Sequence, residues 1–114
     1  MPSSEWRRSL RKLLLSYKPA TPFTRRLLKE LEKPSRRRRE LNLGQLERVA
    51  KPGEVVFVPG KVLGGGIMRK KLTVGAFAFS AAAYRRIGEV GGEALTLAEF
   101  LSRYGSGTGV RLVG

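Results

Sequence analysis

Val55-Val56-Phe57-Val58 is an unbroken apolar run, preceded by the turn sequence Lys51-Pro52-Gly53-Glu54 and followed by Pro59-Gly60. A run this short, rich in β-branched residues and bounded by turn formers, is a buried strand. Similar signals recur at close intervals around it. Leu41-Asn42-Leu43 predicts a short strand leading into a helix from about Gly44 to Ala50. Lys61-Val62-Leu63 predicts a separate strand beyond the Pro-Gly break, and Leu72 to Phe79 another. Ser80 reads as the N-cap of a helix running to about Val90, which Gly91-Gly92 closes. Ala94-Leu95 is a short strand, and Thr96-Leu97-Ala98-Glu99 is a capping box that opens a helix to about Tyr104. Gly105 to Gly109 is a glycine loop before a last strand, Val110 to Val113. Strands alternating with helices from residue 41 onward predict an α/β core over residues 41–114.

Residues 1–40 read differently, as a basic helical extension. Trp6, Leu10, Leu13, Leu14 and Tyr17 fall on one face of a helix from about Ser4 to Tyr17. Arg7, Arg8, Arg11 and Lys12 occupy the rest of its surface, and Pro19 stops it. Thr21 is then an N-cap with Pro22 at the first helical position. The second helix turns Phe23, Leu27, Leu28 and Leu31 inward, leaves Arg25, Arg26 and Lys29 elsewhere, and ends at Pro34.

Charge constrains the partner rather than the fold. The chain carries 23 Lys and Arg against 9 acids, a net +14. Residues 1–52 hold 15 basic and 5 acidic side chains and residues 53–114 hold 8 and 4, so +10 of the excess lies in the first part and +4 in the second. Such a chain repels itself unless a polyanion neutralises it; nucleic acid and an anionic membrane surface are the two choices. There is no His, no Cys and no Asp, and every acid is Glu. Metal centres, thiol chemistry and His-based acid–base catalysis therefore lack their usual groups. No cofactor and no small-molecule substrate is expected. The longest weakly polar run, Val74 to Tyr84, is far short of the roughly 20 residues that a spanning helix needs.

Arg36-Arg37-Arg38-Arg39 is the densest charge in the chain. Four successive guanidinium groups cannot share one face, and an external anion relieves their repulsion. Arginine grips phosphate with a planar fork and stacks on bases. A solvated run or a localisation tag is the plainer alternative. Two glycine clusters, Gly64-Gly65-Gly66 and Gly105-Ser106-Gly107-Thr108-Gly109, lie near Arg69-Lys70-Lys71 and Arg111. A dinucleotide loop follows a strand and opens a helix, whereas Gly105–Gly109 follows a helix and opens a strand. Neither cluster continues into Gly-Lys-Ser/Thr, so nucleotide binding is a poor reading. Tight turns explain part of the pattern. Close backbone approach to a sugar–phosphate chain, at Gly107 for example, is the functional alternative.

The order and spacing of several segments resemble the archaeal and eukaryotic large-subunit ribosomal protein eighteen-e family, whose fold is shared with bacterial large-subunit ribosomal protein fifteen. They are Glu32-Lys33-Pro34-Ser35-Arg36-Arg37, Leu41-Asn42-Leu43, Val58-Pro59-Gly60-Lys61-Val62-Leu63-Gly64, Ala78-Phe79-Ser80, Gly91-Gly92-Glu93-Ala94 and Gly105 to Arg111. The resemblance covers nearly the whole chain, and the length is like that of archaeal members. Gly44 departs from the Ser-like helix cap more usual there. Gly88 also departs, and should weaken its helix by about 1 kcal/mol relative to Ala.

The resemblance implies an irregular β-β-α superhelical core of short strands behind a helical N-terminal extension. It implies a non-enzymatic constituent of the large ribosomal subunit, cytoplasmic, touching large-subunit rRNA and neighbouring ribosomal proteins. On that reading Arg36, Arg37, Arg38 and Arg39 form the main phosphate grip. Lys61, Arg69, Lys70, Lys71, Gly107 and Arg111 are secondary contacts. A free-standing, DNA-compacting protein would explain the charge equally well, but less well the apolar faces spread over several short helices.

Overall fold

A computed structural model describes residues 4–32 and 40–113; the run Arg36 to Arg39 lies outside the described residues. Among the described residues five helices and five strands follow in the order α1 (Ser4–Ser16), α2 (Pro22–Leu31), β1 (Glu40–Asn42), α3 (Leu43–Val49), β2 (Val55–Leu63), β3 (Thr73–Phe79), α4 (Ala81–Glu89), β4 (Glu93–Leu95), α5 (Leu97–Tyr104) and β5 (Val110–Leu112). The architecture is mixed α/β, as expected. All strand pairs are parallel: β1, β2, β3 and β4 are neighbours in that order, and β5 also pairs with β2.

The capping chemistry written in the sequence sets most helix starts. Thr21 Oγ1 accepts the Thr24 N–H at 3.1 Å, and Pro22 occupies the first turn of α2. The Ser80 hydroxyl accepts the Ala83 N–H, opening α4. At α5, Thr96 and Glu99 exchange side-chain and backbone hydrogen bonds reciprocally. Such a cap is worth about 0.5–2 kcal/mol.

One expectation is corrected. Val55–Val58 and Lys61–Leu63 are a single strand, β2, rather than two. Its register against β3 shifts between Val58, which pairs with Ala76, and Lys61, which pairs with Ala78. Three steps on β2 thus match two on β3, which makes Pro59-Gly60 a bulge. The opposite edge of β2 explains why proline is tolerated there. Residues 55–57 pair with β5 and 61–63 with β1, so Pro59 falls in the gap between two partners, where no ladder bond needs its missing N–H.

The sheet separates two apolar layers. One face packs Val56, Val58, Val62, Val74 and Ala76 against Leu43 and Leu46 of α3 and Ala83 and Ile87 of α4. The other packs Phe57 and Phe77 against Leu10 and Leu14 of α1, Phe23, Leu27 and Leu31 of α2, and Phe100 of α5. Phe57 is fully buried at the centre of this second layer. Its ring lies 6.0 Å from Phe23, 5.5 Å from Phe77 and 5.0 Å from Phe100, each edge to face. Aromatic pairs of this kind add about 0.5–1.5 kcal/mol beyond their buried area. The N-terminal helices therefore share a core with the sheet.

Parallel neighbours need a crossover, ordinarily a helix. Between β2 and β3 the crossover is residues 64–72, without a helix. Met68 and Leu72 drop from it into the layer with α3, doing the burying that a helix would otherwise do.

Candidate nucleic-acid interface

The 64–72 crossover carries three of the sequence-predicted residues, Arg69, Lys70 and Lys71, to the end of the sheet where β3 begins, whereas Lys61 lies within β2 opposite Ala78, near the other end. A crossover without its own helical hydrogen bonds must be tied down by others. Glu47 on α3 supplies one tie, its Oε1 accepting the backbone N–H groups of Arg69 and Lys70, each at 3.0 Å. These donors, with the nearby positive charges of Lys70 and Arg69, hold the Glu47 carboxyl below its ordinary range. A second tie is Gly44 N–H, which donates to Gly65 O at 3.0 Å. Arg86 on α4 is a third, its guanidinium donating to Gly64 O and, at 3.4 Å, to Gly66 O. Gly66 has φ of 84°, and a Cβ there would sit 2.7 Å from the Gly44 Cα. Only glycine lets the crossover lie this close to α3.

The predicted cations divide once these contacts are in place. Lys70 turns inward: its Nζ donates to Glu47 O and, at 2.8 Å, to Ala50 O, satisfying carbonyls at the end of α3. Arg111 is likewise engaged, with Nη1 donating to Val49 O at 2.9 Å and Nε 2.9 Å from the Glu54 carboxylate. Gly107 has φ of 81°, and a Cβ on it would come 2.5 Å from that of Phe23, so its backbone packs on α2. By contrast, Arg69 and Lys71 are exposed and Lys61 is partly exposed. Among the described residues none of these three side chains makes an ion pair.

The helices of the extension add a second cationic area. Arg8, Lys12, Arg25 and Lys29 are exposed, and Arg7 is partly so. Arg11 pairs with Glu32 at 3.2 Å and Arg26 with Glu30 at 3.2 Å. A shallow depression of about 460 Å³ is lined by Arg7, Arg8, Arg11, Leu31 and Glu32. It lies at the end of α2, where the chain continues towards Arg36–Arg39.

Elsewhere some of the charge is matched internally. Arg103 grips Glu93 with both nitrogens, at 2.9 and 3.1 Å. The pairing lowers the Glu93 carboxyl and raises the Arg103 guanidinium from their ordinary ranges. Sequence reasoning missed Glu47 and Arg86. Glu47 sits 22 and 23 residues from its partners and Arg86 sits 20 and 22 from its own, so no local pattern marks them. No described helix is long and apolar enough to cross a membrane.

Residues 36–95 match the family model described as ribosomal proteins 50S-L15, 50S-L18e, 60S-L27A. The chain is 51% identical over 83 residues to large ribosomal subunit protein eL18 of Pyrobaculum aerophilum, covering 73% of this chain and 68% of that relative. It is 46% identical over 83 residues to the eL18 protein of Haloarcula marismortui, covering 73% and 71%. With the eL18 protein of Methanopyrus kandleri the identity is 39% over 114 residues, covering 91% and 90%. The parallel α/β fold agrees with that kinship, and the chain belongs to the eL18 family of large-subunit ribosomal proteins, whose role is structural rather than enzymatic.

Proposed function

We propose that the protein binds and stabilises large-subunit rRNA in the cytoplasmic ribosome by neutralising phosphates, and that it does so through two cationic areas. One is the extension, with the α1–α2 surface and Arg36 to Arg39. The other is the outer side of the β2–β3 crossover, with Arg69 and Lys71; Lys61, near the far end of β2, is a separate contact. The observation that carries this reading is the division of the cations. Lys70 and Arg111 are engaged in holding the fold, whereas Arg69 and Lys71, their neighbours in space or sequence, stand exposed and make no side-chain ion pair among the described residues. Exposed cations without partners are the groups that release counterions when they meet phosphate. On this reading Lys70, Gly107 and Arg111 serve the interface by fixing the backbone that presents it.

The split into an extension, residues 1–40, and a core, residues 41–114, then describes where charge is carried. Neighbouring ribosomal proteins are further contacts.

The test is binding of the full chain to a large-subunit rRNA fragment and to random duplex DNA across a salt series. Tighter binding to rRNA at every salt concentration is expected. Equal affinity and equal salt slope on both would favour the DNA-compacting alternative and overturn this reading. Replacing Arg36–Arg39 with Gln should lower the rRNA slope by about 3 units, just under one per phosphate contact.

A further inference from the structure

Ile67 stands at the tip of the β2–β3 crossover with 66% of its surface exposed, the most of any large apolar residue described. An isolated exposed isoleucine is ordinary. The support built beneath this one is not. On its N-terminal side Gly64 and Gly66 are held by Arg86, and Gly65 by Gly44. On its C-terminal side Met68 is buried, and the Arg69 and Lys70 amides are fixed by Glu47. Both flanks are thus pinned, and the tip is presented in one position. Ile67, Met68, Val90 and the Arg86 and Glu89 side chains line a shallow depression of about 390 Å³ beside it.

The charge around this apolar tip selects among occupants. Arg69 and Lys71 follow it in sequence and are exposed. Arg86 lies across the depression and makes no ion pair among the described residues. Of the acids beside it, Glu89 faces Arg85 at 3.9 Å and Glu47 is engaged with the Arg69 and Lys70 amides. An apolar protein segment laid here would bury cations in excess of the acids beside them, which is costly. A nucleotide satisfies both needs, because its base has a flat apolar face and its phosphate is anionic.

We propose that Ile67 is a contact for an unpaired or splayed-out base of rRNA, with Arg69 and Lys71 holding the phosphates beside it. This rests on the rRNA-binding reading above and adds to it an apolar base contact at a defined residue.

The test uses the full chain and three variants, Ile67→Ala, Ile67→Leu and Lys71→Gln, titrated against a large-subunit rRNA fragment over a salt series. Ile67→Ala should bind about tenfold more weakly at every salt concentration, the order expected for one isoleucine side chain leaving water. Its salt slope should be unchanged, because it neutralises no phosphate. Its melting temperature should be unchanged, because the side chain is exposed. Ile67→Leu, which keeps an apolar tip, should bind as the unaltered protein does. Lys71→Gln should instead lower the slope by about 1 unit.

If Ile67→Ala binds rRNA as tightly as the unaltered protein, the base contact is wrong and the general reading stands. If the unaltered protein shows no preference for rRNA over duplex DNA, the underlying reading fails as well. A variant that binds naked rRNA normally but is lost from assembled large subunits would assign the tip to a protein neighbour and overturn the proposal.

Discussion

Glu47 and Lys70 hold each other twice. The Glu47 carboxylate accepts the Lys70 backbone N–H at 3.0 Å, and the Lys70 ammonium donates to the Glu47 backbone carbonyl. The pair joins the last turn of α3 to the crossover between β2 and β3, a connection between parallel neighbours that carries no helix. The clasp adds to the burial of Met68 and Leu72 in ordering the crossover.

Glu47→Ala removes the acceptor of two backbone amides at once. Faster hydrogen exchange is expected at Arg69 and Lys70, with little change at Val56 and Val74 in the sheet. The same amides report on pH. The Glu47 carboxyl is lowered from its ordinary value of 4.5, chiefly by the two backbone hydrogen bonds. The sign follows from that direction. A depressed folded-state value contributes stability fully above 4.5 and loses it as pH falls through the lower, folded value. Exchange at Arg69 and Lys70, corrected for its intrinsic pH dependence, should therefore accelerate selectively in acid. In Glu47→Gln, which keeps an acceptor but has no charge to lose, it should not.

Much of this fold is legible in the sequence because its signals are local. Thr21-Pro22, Ser80 and the Thr96–Glu99 box each act within one turn of helix, and each caps the helix assigned to it. Pro59-Gly60 misleads for a tertiary reason. The pair ends a strand unless the neighbours on both edges leave room, and the gap between β5 and β1 is set by residues around 42 and 110. The candidate site was harder to read. Lys70 and Lys71 are adjacent and chemically alike, and only the position of α3 decides that one faces inward. Arg111 is similar, since Val49 O lies 62 residues away in sequence.

Phe57→Ala tests whether the extension and the sheet unfold as one. Phe57 touches Phe23 of α2 as well as Phe77 and Phe100, and its loss should cost about 3–5 kcal/mol. The single tryptophan, Trp6 on α1, packs against the same apolar layer. Urea unfolding followed by Trp6 fluorescence and by far-ultraviolet circular dichroism should give coincident transitions. Both midpoints should move together in Phe57→Ala. A fluorescence transition that stays in place while the other moves would mean that the helices unfold separately.

Two glycines should respond in opposite directions. Gly88 lies inside α4 with nothing within 4 Å of an added Cβ, so Gly88→Ala should stabilise by about 1 kcal/mol through helix propensity alone. Gly75 on β3 is the reverse case. A Cβ there would come within 2.3 Å of the Phe100 ring and 2.7 Å of the Phe57 ring. Gly75→Ala should destabilise by about 1–3 kcal/mol through overpacking. Denaturant midpoints at unchanged slope are the measurement.

Lys70→Met and Lys71→Gln separate holding the interface from being it. Lys70 caps α3 through the Glu47 and Ala50 carbonyls, so Lys70→Met should lower stability by something on the order of 1 kcal/mol. Because Lys70 meets no phosphate on this reading, the salt slope of rRNA binding should hardly change. Lys71 is exposed, and its stem runs past Gly91, where an added Cβ would lie 3.6 Å from the Lys71 Cε. Lys71→Gln should leave the melting temperature in place and lower the slope by about 1 unit. The two measurements form a two-by-two comparison on neighbouring lysines. If both substitutions changed the slope equally, the inward path of the Lys70 side chain would not persist in solution, and the crossover would be a flexible basic loop rather than a fixed one.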